Sequence, residues 1–336
     1  MKILFLTASL KTPSTRFRIL QNLEIWRGLG LEVTSLPLPK NNWARCKLLY
    51  TLPNYDIVVL QKRLLHRHTF LLLRRRAKVL LYDFDDAVMF SDSNKEGNFF
   101  SERKGRRFAA VAKSADLLLA GNEYLKEQAL SAGARRVAVV PTGVDCNFFT
   151  PGSASESAKK SVDSCLNIGW IGSKANLIYL KTLAQPLNLL YKKRQDFKLT
   201  IVCDDFTDVF ACPVEKISWS AANEVADIQN FSIGIMPLAD DPWTKGKCAF
   251  KLLQYMACGL PAVASATAVT RKIIEPLQNG LLAVTPVAMV EKIEWLLDNR
   301  QALPELGRQA RRSIIGVYDS ETVASLYAEI FKQLAD

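Results

Sequence analysis

The feature that most constrains the fold is an alternation of short apolar strands with helical segments, which starts again after a polar stretch. This order is typical of parallel sheets whose strands are joined by crossover helices. The predicted strands of the first half are 2–7, 32–36, 56–60, 78–83, 117–120 and 136–140. Those of the second half are 166–171, 198–202, 216–218, 232–237, 262–264 and 280–284. The pattern therefore predicts two α/β domains, each beginning with a strand.

The helical segments between these strands carry recognisable start and stop signals. Asn122 is a predicted N-cap and Gly133 a predicted terminator of one helix, and Gly259 closes another before Pro261. The predicted helices of the first half are 16–28, 64–76, 102–114 and 123–132. Those of the second half are 177–190, a short helix ending before Gly259, 286–299, 303–317 and 320–334.

The length and one polar segment indicate where the domains divide. At about 150 residues per domain, 336 residues suffice for two. The segment 151–164 is rich in serine and small polar residues, which is typical of a linker. We therefore predict an N-terminal domain (1–150), a linker (151–164), a C-terminal domain (165–318) and a final helix (319–336) packing back across the hinge.

Cysteine usage and hydropathy bear on the compartment. The seven cysteines are scattered without a Cys-x-x-Cys pair, which argues for reduced thiols in the cytoplasm and against a disulfide framework or zinc site. No run approaches the roughly 18 apolar residues of a membrane span. The apolar stretch before Thr7 is shorter than a signal-peptide core and is predicted to be the first strand.

The positive charge is confined to the first half of the chain. Residues 1–150 hold 24 basic and 13 acidic residues, whereas the remainder holds 20 of each. The basic residues cluster within 62–78 and 103–107. A one-sided basic surface attracts polyanions, including anionic lipid headgroups and phosphorylated acceptors, although a merely solvated basic face is the alternative. Nucleic acid is disfavoured because the clusters lack interleaved aromatic residues and a recognised binding motif.

The segment 240–265 carries the most specific chemistry. It leads from a predicted buried strand through a polar loop into a short helix, and the free N–H groups of a helix N-terminus favour phosphate. Lys245 and Lys247 lie at the mouth of the loop, and Lys247, Lys251 and Gln254 are spaced to share one helix face. This combination predicts a diphosphate site, whereas each lysine alone would suggest only a solvated surface.

The stretch FKLLQYMACGLPAVAS (250–265) resembles the donor-site segment of family 4 glycosyltransferases, also called glycosyl transferases group 1, which have the GT-B fold. Three further stretches are similar to that family: 115–129, 139–151 and 168–180. The sequence departs from the family at Gly246 and Gln254, which stand where members carry two glutamates. The resemblance implies two Rossmann-like domains facing across a cleft, and its motifs do not specify the base or the sugar.

The resemblance also implies where the nucleotide-sugar donor binds. The implied donor-binding residues are Gly172, Ser173, Lys174, Lys245, Gly246, Cys248, Ala249, Phe250, Lys251 and Gln254. An amide at Gln254 can still hydrogen-bond ribose hydroxyls, whereas Gly246 cannot contact the sugar as a glutamate would, so Lys247 or Lys251 is expected to take part of that role.

The predicted acceptor half offers two candidate groups. The first loop carries Ser9, Ser14, Arg16 and Arg18, whose arginines either bind an acceptor phosphate or decorate the first helix. Asp85 and Asp86 follow a strand, and together with Lys247 they are the catalytic candidates, because a carboxylate can orient sugar hydroxyls or accept the acceptor's proton. The alternative is that the two aspartates cap a turn or helix.

The implied activity is a metal-independent, retaining transfer of a sugar from a nucleoside diphosphate to an acceptor hydroxyl in cell-surface glycan synthesis, with no further cofactor. Asp83-Phe84-Asp85 matches an Asp-x-Asp metal motif literally, but it ends an N-terminal strand. Alternatives are a non-catalytic GT-B binding subunit and a sugar-nucleotide epimerase or hydrolase. An NAD-dependent oxidoreductase is disfavoured because neither half opens with a Gly-x-Gly-x-x-Gly turn. Peripheral binding to the inner membrane face is expected through the basic half.

Overall fold

The computed structural model of the protein describes residues 1–39, 41–92, 99–152 and 165–335. The chain divides into two compact units. The first unit comprises Met1–Gly143, Asp241–Cys248 and Tyr318–Asp336, and the second comprises Val144–Asp240 and Ala249–Val317. The units are therefore not the contiguous stretches that the sequence predicts, because a loop and the last helix of the second half pack with the first. Most of the predicted linker, 153–164, lies outside the described residues.

The first unit contains a parallel sheet of six strands. Their order across the sheet is β2-β1-β3-β4-β5-β6, so the direction of winding reverses between β1 and β3. The strands are β1 (Lys2–Thr7), β2 (Glu32–Pro37), β3 (Ile57–Gln61), β4 (Val79–Phe84), β5 (Leu117–Ala120) and β6 (Val137–Val139). In open α/β sheets, ligands bind at the carboxyl ends of the strands beside such a reversal.

Helices cover both faces of this sheet. Alternate residues of β1 point to opposite faces, so Leu4 and Leu6 enter one core while Ile3 and Phe5 enter the other. The helices are α1 (Pro13–Arg18), α2 (Leu23–Gly28), α3 (Asn42–Thr51), α4 (Arg67–Arg76), α5 (Glu102–Ser114), α6 (Glu123–Ser131) and the C-terminal helix (Ser320–Ala335).

The C-terminal helix completes one of these two cores. Its Tyr327 and Phe331 are fully buried against Phe5 and Trp26, with ring centroids 5.4–6.1 Å apart within this group. The indole N–H of Trp26 donates to the carbonyl of Ala324 at 3.0 Å. Burying one large apolar side chain stabilises a fold by about 1.5–3 kcal/mol, so this helix is an integral part of the first unit.

The second unit repeats the plan with a different strand order. Its six parallel strands run β12-β11-β10-β7-β8-β9, which places the reversal between β7 and β10. The strands are β7 (Leu166–Ile171), β8 (Phe197–Val202), β9 (Val214–Ile217), β10 (Ile233–Met236), β11 (Ala262–Ser265) and β12 (Leu281–Ala283). The helices are α7 (Leu177–Lys181), α8 (Ala184–Lys193), α9 (Glu224–Gln229), α10 (Phe250–Ala257), α11 (Thr270–Ile273), α12 (Pro286–Asp298) and α13 (Leu303–Ile314).

All twelve predicted strands are present, whereas several helices differ from the prediction. The predicted helix 16–28 is divided into α1, a 3-10 turn and α2, because Ile19 leaves the helical conformation at ψ −62° and φ −123°. The predicted helix 177–190 is divided into α7 and α8, and Pro186 lies in the first turn of α8, where its missing N–H is tolerated. The sequence did not predict α3, α9 and α11.

Within the described residues, we find no helix that combines the length and the apolar character needed to cross a membrane.

Candidate functional site

The predicted donor loop lies at the strand reversal of the second unit. Gly172, Ser173 and Lys174 directly follow β7. A Cβ atom at Gly172 would lie 2.5 Å from the Trp170 ring and 3.0 Å from Lys251 Cε, so a glycine is required where the loop passes these side chains. Lys174 is exposed and pairs with Asp205 at 2.8 Å, and this hydrogen bond raises the pKa of Lys174.

Helix α10 is fixed to the same sheet edge. The hydroxyl of Tyr255 accepts a hydrogen bond from the backbone N–H of Ile171 (3.1 Å) and donates to the carbonyl of Ile235 (3.3 Å), which connects the helix to β7 and β10. Ala249 precedes the helix with a left-handed backbone (φ 53°), and Phe250 is its first residue. The ammonium of Lys251 lies 5.6 Å from the Trp170 ring centroid. The structure thus brings the N-terminus of α10, Lys251 and Gly172 together.

Gln254 has a buried acidic partner that the sequence did not predict. Its Nε2 donates to Glu224 Oε1 at 2.9 Å, and both side chains are buried. Glu224 begins α9 and also accepts a long hydrogen bond from Trp219 Nε1 at 3.4 Å. Because the amide nitrogen of Gln254 is held by Glu224, the direction of the amide oxygen of Gln254 is fixed as well. No spacing in the sequence connects Glu224 with Gln254, since the two lie 30 residues apart.

The lysines of the predicted helix face are divided between the two units. Helix α10 begins only at Phe250, and Asp241–Cys248 belongs to the first unit, so Lys247 does not share a helix face with Lys251 and Gln254. That part of the prediction is wrong, because the left-handed Ala249 interrupts the helical path. The exposed Lys245 lies in the same loop, and Asn122 Nδ2 donates to the carbonyls of Lys245 (3.3 Å) and Lys247 (3.2 Å).

Gly246 is packed too closely for any side chain. A Cβ atom at this position would lie 2.6 Å from both the backbone nitrogen and the Cβ of Ala87. The same close packing involves Cys248, whose Sγ donates to the carbonyl of Asp85 at 3.4 Å. Burial, together with the nearby charge of Asp85, raises the pKa of the Cys248 thiol. The loop therefore fits the first unit through its backbone, and its thiol is held in the protonated form.

Asp85, Asp86 and Lys247 do come together in the first unit, with an additional lysine. Lys62, directly after β3, places its ammonium 3.1 Å from Asp85 Oδ1 and forms an ion pair with Asp86. Lys247 Nζ lies 4.0 Å from Asp86 Oδ1. Burial alone would raise the pKa of Asp85, but the charges of Lys62 and Arg18 and a hydrogen bond from Ser14 lower it on balance. The sequence grouped Lys62 only with the basic surface clusters.

Arg18 does not fit the predicted acceptor-binding role. Its side chain is fully buried and forms hydrogen bonds of 2.6–3.2 Å with both carboxylate oxygens of Asp83. It also donates to the carbonyl of Val140 (3.0 Å) and to Thr142 Oγ1 (3.1 Å). An acceptor phosphate cannot reach a guanidinium enclosed in this way. Arg18 is therefore a structural residue, and the prediction is corrected because its side chain is fully buried and paired with Asp83.

The other acceptor candidates lie on the loop after β1. Ser14 Oγ accepts from Lys62 Nζ at 2.8 Å, which adds it to the Asp85–Asp86 cluster. Ser9 Oγ instead accepts from the backbone N–H of Lys11 at 3.2 Å and supports the turn. The guanidinium of Arg16 stacks over the Phe17 ring at 4.5 Å. Ser14 is thus the residue of this group that the structure places beside the predicted catalytic carboxylates.

The literal Asp-x-Asp motif separates into two ion pairs. The Asp83 carboxylate binds Arg18 and accepts from the Tyr327 hydroxyl at 2.8 Å, whereas Asp85 faces Lys62. Among the residues that the structure describes, no group of three or more His, Cys, Asp and Glu side chains is arranged to hold a metal ion. His66 and His68 are exposed.

Comparisons with known proteins show a family match for one segment of the chain and structures that share its fold. Residues 165–299 match the family Glycosyl transferases group 1. A comparison with curated protein sequences gives no significant match. HepE of Anabaena, solved with UDP and glucose, has 16% identity and a TM-score of 0.72, covering 99% of this chain and 100% of that chain.

Two further solved structures have the same fold over nearly the whole chain. A glycosyltransferase from Rickettsia africae has 14% identity and a TM-score of 0.73, covering 99% of this chain and 98% of that chain. Sucrose-phosphate synthase from Thermosynechococcus elongatus has 13% identity and a TM-score of 0.72, covering 99% of each chain. The predicted GT-B fold is confirmed. Residues 165–299 are thus similar to a group 1 glycosyltransferase domain, and both units together have the GT-B fold.

Proposed function

We propose that this protein is a glycosyltransferase that moves a sugar from a nucleoside-diphosphate donor to an acceptor hydroxyl, with retention of configuration and without a metal ion. The transfer serves the synthesis of a cell-surface glycan such as lipopolysaccharide, capsule or exopolysaccharide. The observation that carries the proposal is the position of the donor elements. Gly172 and the N-terminus of α10 lie at the strand reversal of the matched domain.

The chemistry of the step fits the charged groups of both units. The bond between the anomeric carbon and the β-phosphate oxygen breaks, and the nucleoside diphosphate departs with the electron pair. The acceptor oxygen forms the new bond to that carbon, and its proton passes to a carboxylate. Negative charge develops on the diphosphate, so the N–H groups at the start of α10 and the ammonium of Lys251 are suited to stabilise it.

The ion pairs of the first unit support a reaction without a metal ion. Asp83 and Asp85, the two acidic residues of the literal metal motif, are neutralised by Arg18 and Lys62 respectively. A divalent cation would have to displace a buried guanidinium or ammonium to bind there. In this proposal the positive charge that faces the leaving group within the second unit comes from Lys251, beside Gly172.

The donor site is tested by thermal shift with UDP, GDP, ADP, CDP and dTDP. UDP is the first choice because HepE was solved with UDP and glucose. We expect one diphosphate to raise the Tm of the parent, and Lys251→Met and Gly172→Ala to lose most of that rise, since Gly172 has no room for a methyl group. The control is Lys192→Met, which removes an exposed lysine of α8 in the same unit. Equal responses of all three variants would refute the site.

Product analysis with the preferred sugar nucleotide separates the alternatives. Transfer to an acceptor with the anomeric configuration retained supports the proposal. A sugar nucleotide of altered configuration would indicate an epimerase, and free sugar without transfer would indicate a hydrolase. Nucleotide binding without turnover in the presence of a membrane glycolipid extract would identify a non-catalytic binding subunit. Full turnover in the presence of a chelator is expected, and its loss would refute metal independence.

We further propose that the first unit binds the anionic inner face of a membrane, where a lipid-linked acceptor would be held. The support comes from the pair of helices α3 and α4, which pack together. Trp43 and Tyr50 on α3 are 76% and 72% exposed. Lys47 lies 5.8 Å from the Trp43 ring centroid, and Arg76 of α4 lies 5.3 Å from that of Tyr50. Exposed aromatic rings flanked by cations are suited to the headgroup region.

The proposed membrane contact does not include the basic cluster at 103–107, because three of its side chains have partners within the first unit. Lys104 donates to the carbonyl of Phe90 at 2.7 Å, Arg106 pairs with Glu102 at 3.5 Å and Arg107 donates to the carbonyl of Leu64 at 3.3 Å. We expect vesicles containing phosphatidylglycerol to sediment the parent at low salt, and pure phosphatidylcholine vesicles not to. Trp43→Ser combined with Tyr50→Ser should abolish sedimentation, and the control Trp295→Ser in the second unit should not. Equal sedimentation of both variants would refute this surface.

A further inference from the structure

Four charged side chains meet at the carboxyl ends of β3 and β4 in the first unit. Lys62 follows β3, and Asp85 and Asp86 follow β4. The fourth, Lys247, comes from the loop Asp241–Cys248. Their side chains retain 24%, 12%, 23% and 22% of their exposure, respectively, so the group is enclosed but accessible. Two cations thus balance two carboxylates at the edge where α/β sheets bind ligands.

The backbone of Lys62 is strained. Its φ is 55°, in the left-handed region that residues with a Cβ atom rarely adopt, and its N–H donates to the carbonyl of Asp83 at 2.9 Å. A strained conformation of this kind persists where the surrounding structure imposes it, and such residues are concentrated at functional sites. Here the conformation directs the ammonium towards Asp85, Asp86 and Ser14 together.

The two aspartates have different surroundings. Asp85 is the more buried carboxylate, and Cys248 covers its backbone carbonyl. Asp86 is more accessible and lies between the ammonium groups of Lys62 and Lys247. The charged or titratable groups that interact with this pair from the adjoining elements are Arg18, Lys62, Tyr82, Lys247, Cys248 and Tyr327.

We propose that Lys62 is a positioning residue of the transfer reaction: it holds Asp85 as a buried counter-ion and orients Asp86 as the carboxylate that accepts the proton of the acceptor hydroxyl. The inference rests on the proposed function. Asp86, rather than Asp85, is then the catalytic carboxylate, and the proton moves from the acceptor oxygen to Asp86 as that oxygen bonds to the anomeric carbon. Lys62 itself exchanges no proton and contacts the substrate only through Asp86.

Lys62→Gly removes the ammonium and leaves the backbone conformation unchanged, because glycine adopts φ 55° without strain. Lys62→Arg keeps the positive charge. The control Lys126→Met removes a lysine from a surface ion pair with Glu123 (3.4 Å) on α6. All three variants and the parent are assayed with the preferred sugar nucleotide for kcat, donor KM and the pH dependence of kcat/KM.

We expect Lys62→Gly to bind the nucleoside diphosphate and to keep the parent's donor KM, while kcat falls by about 10²-fold, the range for losing general base catalysis. Removing the ammonium that forms an ion pair with Asp86 makes the ionised carboxylate less favourable, so the acid limb of the profile should move to higher pH. Lys62→Arg should restore the acid limb, and Lys126→Met should match the parent throughout.

An unchanged acid limb in Lys62→Gly would overturn the inference, as would equal losses in Lys62→Gly and Lys62→Arg. Asp85→Asn and Asp86→Asn provide the second measurement, and the inference requires the larger loss of kcat in Asp86→Asn. A parent that turns over no sugar nucleotide would refute the proposed function and the inference with it. An active parent with an unaffected Lys62→Gly would refute the inference alone.

Discussion

The buried pair of Arg18 and Asp83 provides the most quantitative test of the fold of the first unit. Neither side chain is exposed, and the guanidinium makes further hydrogen bonds to Val140 and Thr142. Arg18→Met keeps much of the buried aliphatic volume but leaves the Asp83 carboxylate with only the Tyr327 hydroxyl (2.8 Å) and Gln61 Nε2 (3.3 Å).

Breaking one partner of a buried ion pair costs about 3–5 kcal/mol, because the remaining charge is uncompensated. In a unit of about 150–250 residues, each kcal/mol lowers the Tm by about 2–4 °C, so the expected decrease is about 6–20 °C. Replacing Asp83 as well should recover part of this loss. Arg18→Met with Asp83→Asn leaves a neutral amide that still accepts from Tyr327, and it should be more stable than Arg18→Met alone.

Differential scanning calorimetry measures both effects, and Arg106→Met provides the control. Arg106 pairs with Glu102 on the surface at 3.5 Å, where an ion pair contributes only about 0–1 kcal/mol. The reasoning is refuted if Arg18→Met shifts the transition no further than Arg106→Met. It is also refuted if the double variant is no more stable than the single one, since the loss would then not come from the isolated carboxylate.

Two further predictions concern glycine packing and pH. Gly246→Ala should destabilise the first unit by about 1–3 kcal/mol, because its Cβ would lie 2.6 Å from Ala87 N. Gly105→Ala has open space inside α5 and should stabilise the unit by about 0.5–1 kcal/mol. Thermal melts that rank the two variants in the opposite order would contradict this reasoning. Hydrogen bonds from Arg194, opposed in part by burial, lower the pKa of Asp196 from 3.8 to about 2, so its contribution to stability is present above pH 4 and lost as the pH falls through about 2. Asp196→Asn should therefore lower the Tm at neutral pH, and the difference from the parent should shrink between pH 4 and 2; a constant difference in melts over that range would argue against the ion pair.

The strands were predictable because each is a short apolar run bounded by turn residues, and burial on both faces leaves little freedom in their placement. The helices were less predictable where local signals are weak. Helix α3 exposes Trp43 and Tyr50, so its apolar residues do not form the regular stripe that identifies an amphipathic helix.

The candidate site was predictable where chemistry is local in sequence and not where it is assembled across the sheet. Lys251 lies in a segment whose pattern indicates phosphate binding, Gly172 lies in one that the family resemblance implies, and the structure brings the two together. Lys62 and Glu224 were missed because their partners lie 24 and 30 residues away and no spacing connects them. The burial of Arg18 could not be predicted, because it depends on residues far away in the sequence, including Tyr327 of the C-terminal helix.

The division of the first unit into three stretches has a consequence for biosynthesis. Roughly 175 residues separate Gly143 from Tyr318, and a ribosome adding about 5–20 residues per second needs about 10–35 s to make them. During that interval Phe5 and Trp26 lack the aromatic rings of the C-terminal helix that cover them in the finished protein. The nascent chain therefore carries an uncovered apolar face while its second unit is being translated. Chaperone binding and premature termination should affect this protein most strongly in that window.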